Sequence, residues 1–144
     1  MQKKLNWVLL VDDNESDNFI HKRVIEKSGI TDHIGIAENG QEALDFLSAR
    51  LAQGTKYDVD NRPELIFLDI NMPVMNGWEF LEEFEKLAGQ IAGSLKIILL
   101  TSSKDPKDIR RAELTLGKGC FQYKPLTLEM INEIMKRHFP ESLQ

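Results

Sequence analysis

The chain has 144 residues, of which 42% are hydrophobic, so its length and composition suit one domain with a substantial core. Eighteen basic and 23 acidic residues give a net charge of −5, which disfavours nonspecific binding to nucleic acid. A single cysteine, Cys120, excludes an internal disulfide and a cysteine-rich metal site, and no stretch is apolar enough for a membrane span or a signal region. We therefore expect a cytoplasmic protein that binds no membrane, with residues 1–144 forming one domain and its core running from about 5 to 139.

Short apolar runs along the chain predict strands that are buried on both faces. In chain order, these runs are residues 7–11, 34–37, 65–68, 96–100 and 119–123. Four of them are followed by polar residues: the first by Asp12 and Asp13, the third by Asp69, the fourth by Thr101 and Ser102, and the fifth by Lys124. We expect Cys120 to pack within the last of these strands.

Helical patterns separate the apolar runs. Asn14 or Ser16 can cap the first helix, which is predicted to carry Phe19, Ile20 and Val24 inward. The other four helices are predicted to begin at Asn39-Gly40, after Gly77, at Asp105-Pro106 and at Thr127. Their predicted inward residues are, helix by helix, Ala43, Leu47 and Leu51; Trp78, Leu81 and Phe84; Ile109, Ala112 and Leu116; and Leu128, Ile131 and Met135.

Strand and helix alternate five times in this prediction. Such alternation implies right-handed crossovers, parallel strands and a doubly wound α/β domain. One polar stretch, from Gln53 to Glu64, is longer than a usual connection between a helix and a strand. It is either a partner-binding loop or a tolerated insertion, and the sequence leaves both open.

Parallel strands would bring the polar residues at their carboxyl ends to one edge of the sheet. That edge would hold the lone carboxylate of Asp69, the pair Asp12 and Asp13, the Thr101 hydroxyl and the Lys124 ammonium. Each has an ordinary alternative: the paired aspartates can cap a helix, the lysine can be an exposed surface group, and the threonine can bond to its own backbone. Their joint occurrence at four strand ends favours a functional site.

The same residues form a pattern that is known from one family. Its parts are Asp12-Asp13, Asp69-x-Asn71-Met72-Pro73-x-Met75-x-Gly77, Thr101-Ser102 and Lys124-Pro125, in that order and each at a strand end. On these motifs the chain resembles the receiver domain of bacterial response regulators over almost its whole length, and most closely the single-domain kind typified by the chemotaxis response regulator.

The resemblance implies a flavodoxin-like receiver fold, with a five-stranded parallel sheet in the order 2-1-3-4-5 and a cis bond between Lys124 and Pro125. It implies that a histidine kinase or a histidine phosphotransfer protein donates a phosphoryl group to Asp69. Mg²⁺, which prefers oxygen ligands, would neutralise the charge on the transferring group. The residues implied to bind it are Asp13 and Asp69 directly, Asn71 through its backbone carbonyl, and Asp12 largely through water.

The resemblance also implies a route for the signal. Lys124 and Thr101, beside Ser102, would contact phosphoryl oxygens, and Phe121 would rotate into the space behind Thr101. Phe121 stands where the family often has tyrosine, and we expect Tyr123 to point to the other side of its strand. The signal would leave through the face built by the fourth helix, the fifth strand and the fifth helix, in a monomer or a weak phosphorylation-dependent dimer without an output domain.

Two other classes of protein remain as alternatives. A phosphatase of the haloacid dehalogenase type would also use a strand-end aspartate, but it has a second aspartate two residues later, where this chain has Asn71. A flavodoxin-like binding module would need a hydroxyl-rich phosphate loop where this chain has acidic Asp12 and Asp13. We therefore predict a phosphoacceptor and not an enzyme that turns over outside substrates.

The remaining conspicuous side chains receive ordinary interpretations. We expect His21, His33 and His138 at the surface, because their spacing suggests no metal site. Trp78, Phe80 and Phe84 are expected to form core and flank on the third helix.

Overall fold

The computed structural model describes residues 4–52, 63–88 and 95–140. Within them, five strands alternate with five helices: β1 (Val8–Val11), α1 (Glu15–Ser28), β2 (Ile34–Ala37), α2 (Gly40–Ala52), β3 (Leu65–Leu68), α3 (Gly77–Ala88), β4 (Lys96–Thr101), α4 (Pro106–Leu116), β5 (Phe121–Tyr123) and α5 (Leu128–His138). All but the last two residues of the long polar stretch predicted at 53–64 lie outside the described residues.

The strands form one parallel sheet in the order β2-β1-β3-β4-β5. Val8 stands opposite both Ile34 and Leu65, so β1 pairs with β2 on one side and with β3 on the other. The register continues from Leu65 to Lys96 and from Leu99 to Phe121. The doubly wound α/β fold predicted from the sequence pattern is confirmed, and so is the strand order implied by the resemblance to receiver domains.

Two apolar cores lie on opposite faces of the sheet. Alternate side chains of β1 separate cleanly, because Val8 and Leu10 join the core that contains Ile25 of α1, while Leu9 and Val11 join the other. The first core also receives Ile131 and Met135 of α5 and Cys120; the second receives Ala43 and Leu47 of α2, Phe80 and Leu81 of α3, and Ala112 of α4. Cys120 is therefore a packing residue, as predicted.

Side-chain caps fix where the helices begin. The cap oxygens accept backbone N–H groups of the first turn in the pairs Asn14 with Asp17, Asn39 with Glu42, Asn76 with Glu79, Asp105 with Lys107, and Thr127 with Met130, at 2.9–3.2 Å. The predicted helix starts are confirmed.

The predicted inward face of α1 is wrong in part. Phe19 and Ile20 are 62% and 49% exposed, while His21, expected at the surface, is only 2% exposed. Asn18 is also buried, and its side-chain amide donates to the backbone oxygen of Asp12 at 2.8 Å. This hydrogen bond helps to set the rotation of the helix, so that Asn18 and His21 face the sheet while Val24 packs against the core as predicted.

Two further expectations need correction. Leu128 was predicted to face inward on α5 but is 41% exposed, whereas Ile131 and Met135 are buried as predicted. His138 was expected at the surface, yet it is half-buried and its Nε2 atom has no hydrogen-bond partner among the described residues. On α3, Phe80 is fully buried, and Trp78 and Phe84 are half-buried at its sides, as predicted.

Candidate functional site

Backbone hydrogen bonds extend the sheet by one residue at its carboxyl edge and so position the polar side chains. The N–H of Asp69 donates to the Val11 oxygen at 2.9 Å, and the N–H of Asp12 donates to the Ala37 oxygen at 3.0 Å. On the other side, the N–H of Lys124 donates to the Thr101 oxygen at 2.9 Å. The strand-end residues predicted to meet are therefore held beside one another by the ladder itself.

Three carboxylates meet at this edge. Asp12, Asp13 and Asp69 each offer a carboxylate oxygen, and these oxygens lie within 4.8 Å of one another. Asp12 and Asp69 are buried, while Asp13 is exposed. Asn71 lies two residues after Asp69 in an exposed part of the following loop. Hard oxygen donors clustered in this way fit Mg²⁺ or Mn²⁺.

The environment of Asp69 disfavours its charged form relative to an exposed carboxyl. Burial and, second, the neighbouring Asp12 charge raise the pKa of this carboxyl, while Lys124, the Ile70 N–H and the Thr101 hydroxyl oppose the rise, and the resulting pKa is about 6. A divalent cation against the three carboxylates would offset this repulsion. The donor set therefore fits the group that the resemblance implies.

Lys124 lies at the centre of the acidic cluster, with its side chain only 13% exposed. Its Nζ atom is 2.6 Å from Asp12 Oδ2 and 2.7 Å from Asp17 Oδ2, but 3.7 Å from Asp69 Oδ2. Burial alone would lower the pKa of this ammonium, but the hydrogen bonds to Asp12 and Asp17 and the charge of Asp69 outweigh it and raise the pKa to about 12. The bond between Lys124 and Pro125 is cis, as the resemblance implied.

Asp17 is a site residue that the sequence did not reveal. It belongs to the first turn of α1, where an acidic residue needs no further explanation than the helix dipole. Its partner Lys124 is 107 residues away in the chain, so no local spacing could have connected them. The available sequence signal was that Asp17 follows Asp13 by four residues, in the first turn of the helix that begins after the Asp12-Asp13 pair.

Both carboxylate oxygens of Asp12 have a partner. Oδ1 accepts the backbone N–H of Asn14 at 3.0 Å, which closes a local turn before α1. Oδ2 accepts from Lys124. Asn14, and not Asp12, is the cap of α1, so the alternative that the paired aspartates cap this helix does not describe Asp12.

Thr101 and the aromatic residues lie beside the cluster. The Thr101 side chain is fully buried, its Oγ1 accepts the Ser103 N–H at 3.1 Å, and Ser102 is exposed. Phe121 is half-buried on β5 and forms an edge-to-face pair with Tyr123, with ring centroids 5.4 Å apart. The expectation that Tyr123 points to the other side of the strand is wrong, because residues two apart on a strand share a face.

The comparisons with known proteins decide the family. The model of the response regulator receiver domain matches residues 8–136. The chain belongs to this family. Receiver domains of response regulators act in phosphorylation-dependent two-component signalling, and the chain shares their fold and its acidic cluster.

Individual relatives agree with this assignment. The response regulator Rcp1 of Synechocystis sp. is 30% identical over 122 residues, which is 85% of this chain and 78% of that protein. A two-component response regulator from Cytophaga hutchinsonii has a crystal structure with a TM-score of 0.80, 30% identity and coverage of 96% and 99% of the two chains. The Mn²⁺-bound crystal structure of Rcp1 matches with a TM-score of 0.67 and 27% identity, covering 90% of this chain and 91% of that one.

None of the helices in the described residues is long and apolar enough to cross a membrane.

Proposed function

We propose that Asp69 accepts a phosphoryl group from the phosphohistidine of a histidine kinase or a histidine phosphotransfer protein, which makes this chain a phosphorylation-activated switch. One observation carries the proposal: a buried carboxylate ends β3, with the Lys124 ammonium 3.7 Å away and two further carboxylates beside it. An isolated structural aspartate would need neither the cluster of acids nor the buried cation.

The transfer exchanges one bond to phosphorus for another. A carboxylate oxygen of Asp69 forms the new P–O bond as the P–N bond to the donor imidazole breaks, and the imidazole leaves with the bonding electron pair. Lys124 offers an ammonium N–H to a phosphoryl oxygen, and Thr101 offers its hydroxyl to another. Asp13, Asp69 and the Asn71 carbonyl would hold Mg²⁺, with Asp12 acting through water, and the ion would neutralise charge on the transferring group.

The same residues disfavour turnover of outside substrates. Hydrolysis of an aspartyl phosphate is accelerated when a second carboxyl group can take a proton from water and give one to the leaving group. Asn71, two residues after Asp69, cannot do either. We therefore expect slow self-phosphorylation and slow self-dephosphorylation, with protein contacts and not product release as the output.

The output face is proposed to be formed by α4, β5 and α5. Thr101 ends β4 beside this face, and Phe121 with its partner Tyr123 lies on β5. A movement of Thr101 toward the phosphoryl group would open space for the Phe121 ring and so alter the face without disturbing the sheet. On this proposal the chain acts as a single receiver domain, either as a monomer or as a weak dimer that forms on phosphorylation.

The test uses phosphoramidate, a small donor with the same P–N bond as phosphohistidine. Wild-type protein with Mg²⁺ should acquire an acyl phosphate that hydroxylamine removes, and excess chelator should prevent its formation. A matched variant, Asp45→Asn on the exposed surface of α2, should behave as the wild type. A label that resists hydroxylamine, or full labelling in chelator, would show that the proposed chemistry is wrong.

A further inference from the structure

The ammonium of Lys124 is not directed at the proposed acceptor in this structure. Its two short contacts are to Asp12 and Asp17, at 2.6 and 2.7 Å, and the Asp69 oxygen at 3.7 Å is beyond hydrogen-bond distance. An ammonium has three N–H donors, so two of them are used on the α1 side of the cluster. Two of its three N–H donors are therefore already engaged by carboxylates that are not the proposed acceptor.

The two anchoring carboxylates differ in what else they do. Asp12 accepts the Asn14 N–H with its other oxygen and belongs to the group of three carboxylates that fits a cation. Asp17 lies outside that group, and its carboxylate contacts Lys124 from the first turn of α1. Phosphoryl transfer therefore has no evident need for Asp17, which leaves its contact with Lys124 to be explained.

The backbone of Asp17 is fixed by the contacts of α1. Asn14 caps α1 and accepts the Asp17 N–H at 3.0 Å, which fixes the backbone of this residue. One turn later, His21 is buried, and Asn18 is bonded to the Asp12 backbone, so the helix cannot rotate without breaking packed contacts. The Asp17 carboxylate, whose side chain is 31% exposed, therefore competes with a phosphoryl group on Asp69 for the Lys124 ammonium.

We propose that Asp17 is a positioning residue that holds Lys124 on the α1 side of the site in the unphosphorylated protein and so weakens the bonding of Lys124 to a phosphoryl group on Asp69. This inference rests on the proposed function of Asp69. In the phosphorylated state the phosphoryl oxygens draw Lys124 across the site, and the Asp17 contact is lost or lengthened. Part of the free energy gained when Lys124 binds the phosphoryl group is then offset by the loss of its contact with Asp17.

The experiment measures binding of beryllofluoride, a phosphoryl mimic, to the whole chain by calorimetry at fixed Mg²⁺ and fluoride. Asp17→Ala should bind about threefold to tenfold more tightly than the wild type, because a competing charge-assisted hydrogen bond of the lysine is gone. Asp17→Asn, which keeps the shape and a weaker acceptor, should lie between the two. It also tests the proposal if the alanine variant folds poorly.

Two controls separate positioning from general charge. Glu15→Gln removes one exposed acid from the same helical turn and should leave the affinity at the wild-type value. The carbon resonance next to Nζ of Lys124, observed by NMR in the free protein, should move in Asp17→Ala toward its position in the beryllofluoride-bound wild type. A structural role for Asp17 would not produce that movement.

The outcomes are distinct. Unchanged or weaker binding in Asp17→Ala, an equal gain in Glu15→Gln, or a Lys124 resonance that stays in place would each overturn the assignment of Asp17. Failure of the wild type itself to bind beryllofluoride would instead overturn the proposed function of Asp69.

Discussion

The backbone oxygen of Asp69 occupies the space where a side chain on Gly77 would begin. A Cβ atom at Gly77 would lie 2.5 Å from that oxygen and 3.0 Å from the Cα of Ile70. The Gly77 N–H donates to the Ile70 oxygen at 2.8 Å, so the start of α3 is bonded directly to the loop that follows Asp69. The glycine that ends the motif therefore leaves the room that the backbone of Asp69 needs in its observed position.

Gly77→Ala should displace this loop, because the neighbouring atoms are backbone and cannot turn aside. We expect the free energy of unfolding to fall by about 1–3 kcal/mol and phosphorylation of Asp69 to slow. Asn76→Ala is the matched control, since it removes the cap of the same helix, at a cost of about 1 kcal/mol, without crowding Asp69. Denaturant unfolding and initial labelling rates check both. Equal labelling rates in the two variants would contradict this account of Gly77.

Val74 has a backbone conformation that suits glycine better. Its φ angle is +66°, and the Met75 N–H donates to the Pro73 oxygen at 2.7 Å, which closes a tight turn around a β-branched residue. The side chain is 80% exposed, so little packing is lost on its removal. Val74→Gly should raise the free energy of unfolding by about 0.5–1 kcal/mol, although glycine usually destabilises. A loss of stability in denaturant unfolding would show that the turn is not strained.

The raised pKa of Asp69 predicts a pH-dependent cost to folding in metal-free protein. With a folded-state pKa of about 6, the carboxyl binds its proton more tightly in the folded than in the unfolded chain. The penalty is therefore absent below about pH 4 and complete above about pH 6. Asp69→Asn should be more stable than the wild type by about 1–3 kcal/mol at pH 7, with the difference vanishing toward pH 4.

The measurement is chemical denaturation of both proteins from pH 4 to pH 7.5 in chelator. Glu85→Gln, at an exposed position on α3, should differ from the wild type by less than about 0.5 kcal/mol throughout. Mg²⁺ should then stabilise the wild type more than Asp69→Asn. An Asp69→Asn variant that is less stable at neutral pH would contradict the predicted direction.

Thr101→Ala should separate phosphorylation from the response of the output face. The hydroxyl is fully buried next to Asp69, the proposed acceptor, so its removal should still allow a phosphoryl mimic to bind while the Phe121 environment stays as in the free protein. Amide exchange in residues 105–125, with and without beryllofluoride, checks this in both proteins. The proposed route is wrong if the wild type shows no change there, or if the variant shows the same change.

Much of the fold followed from local patterns. The strands are continuous apolar runs, and the helices begin at side chains that cap them. Each of these two patterns depends on only a few adjacent residues. The rotation of α1 was not predictable in the same way. Hydrophobicity placed Phe19 and Ile20 inward, whereas the bond from Asn18 to the Asp12 backbone and the burial of His21 set the opposite face.

The site was predicted to the extent that it consists of strand ends. Asp12, Asp13, Asp69 and Lys124 follow strands and Thr101 is the last residue of one, and parallel strands bring such residues together. Asp17 was missed because its contact with Lys124 joins residues 107 apart and depends on a side-chain direction. The direction of Tyr123 needed only the two-residue period of a strand, and its pairing with Phe121 corrects the expectation.

The most direct test of the account is the intact mass of the protein after incubation with a small acyl phosphate and Mg²⁺. The wild type should gain one phosphoryl group, because a single carboxylate stands at the end of β3 beside Lys124. Asp69→Asn should gain none, while Asp13→Ala should gain one only slowly, since a ligand for the cation is lost. Equal labelling of the wild type and Asp69→Asn would contradict the central claim.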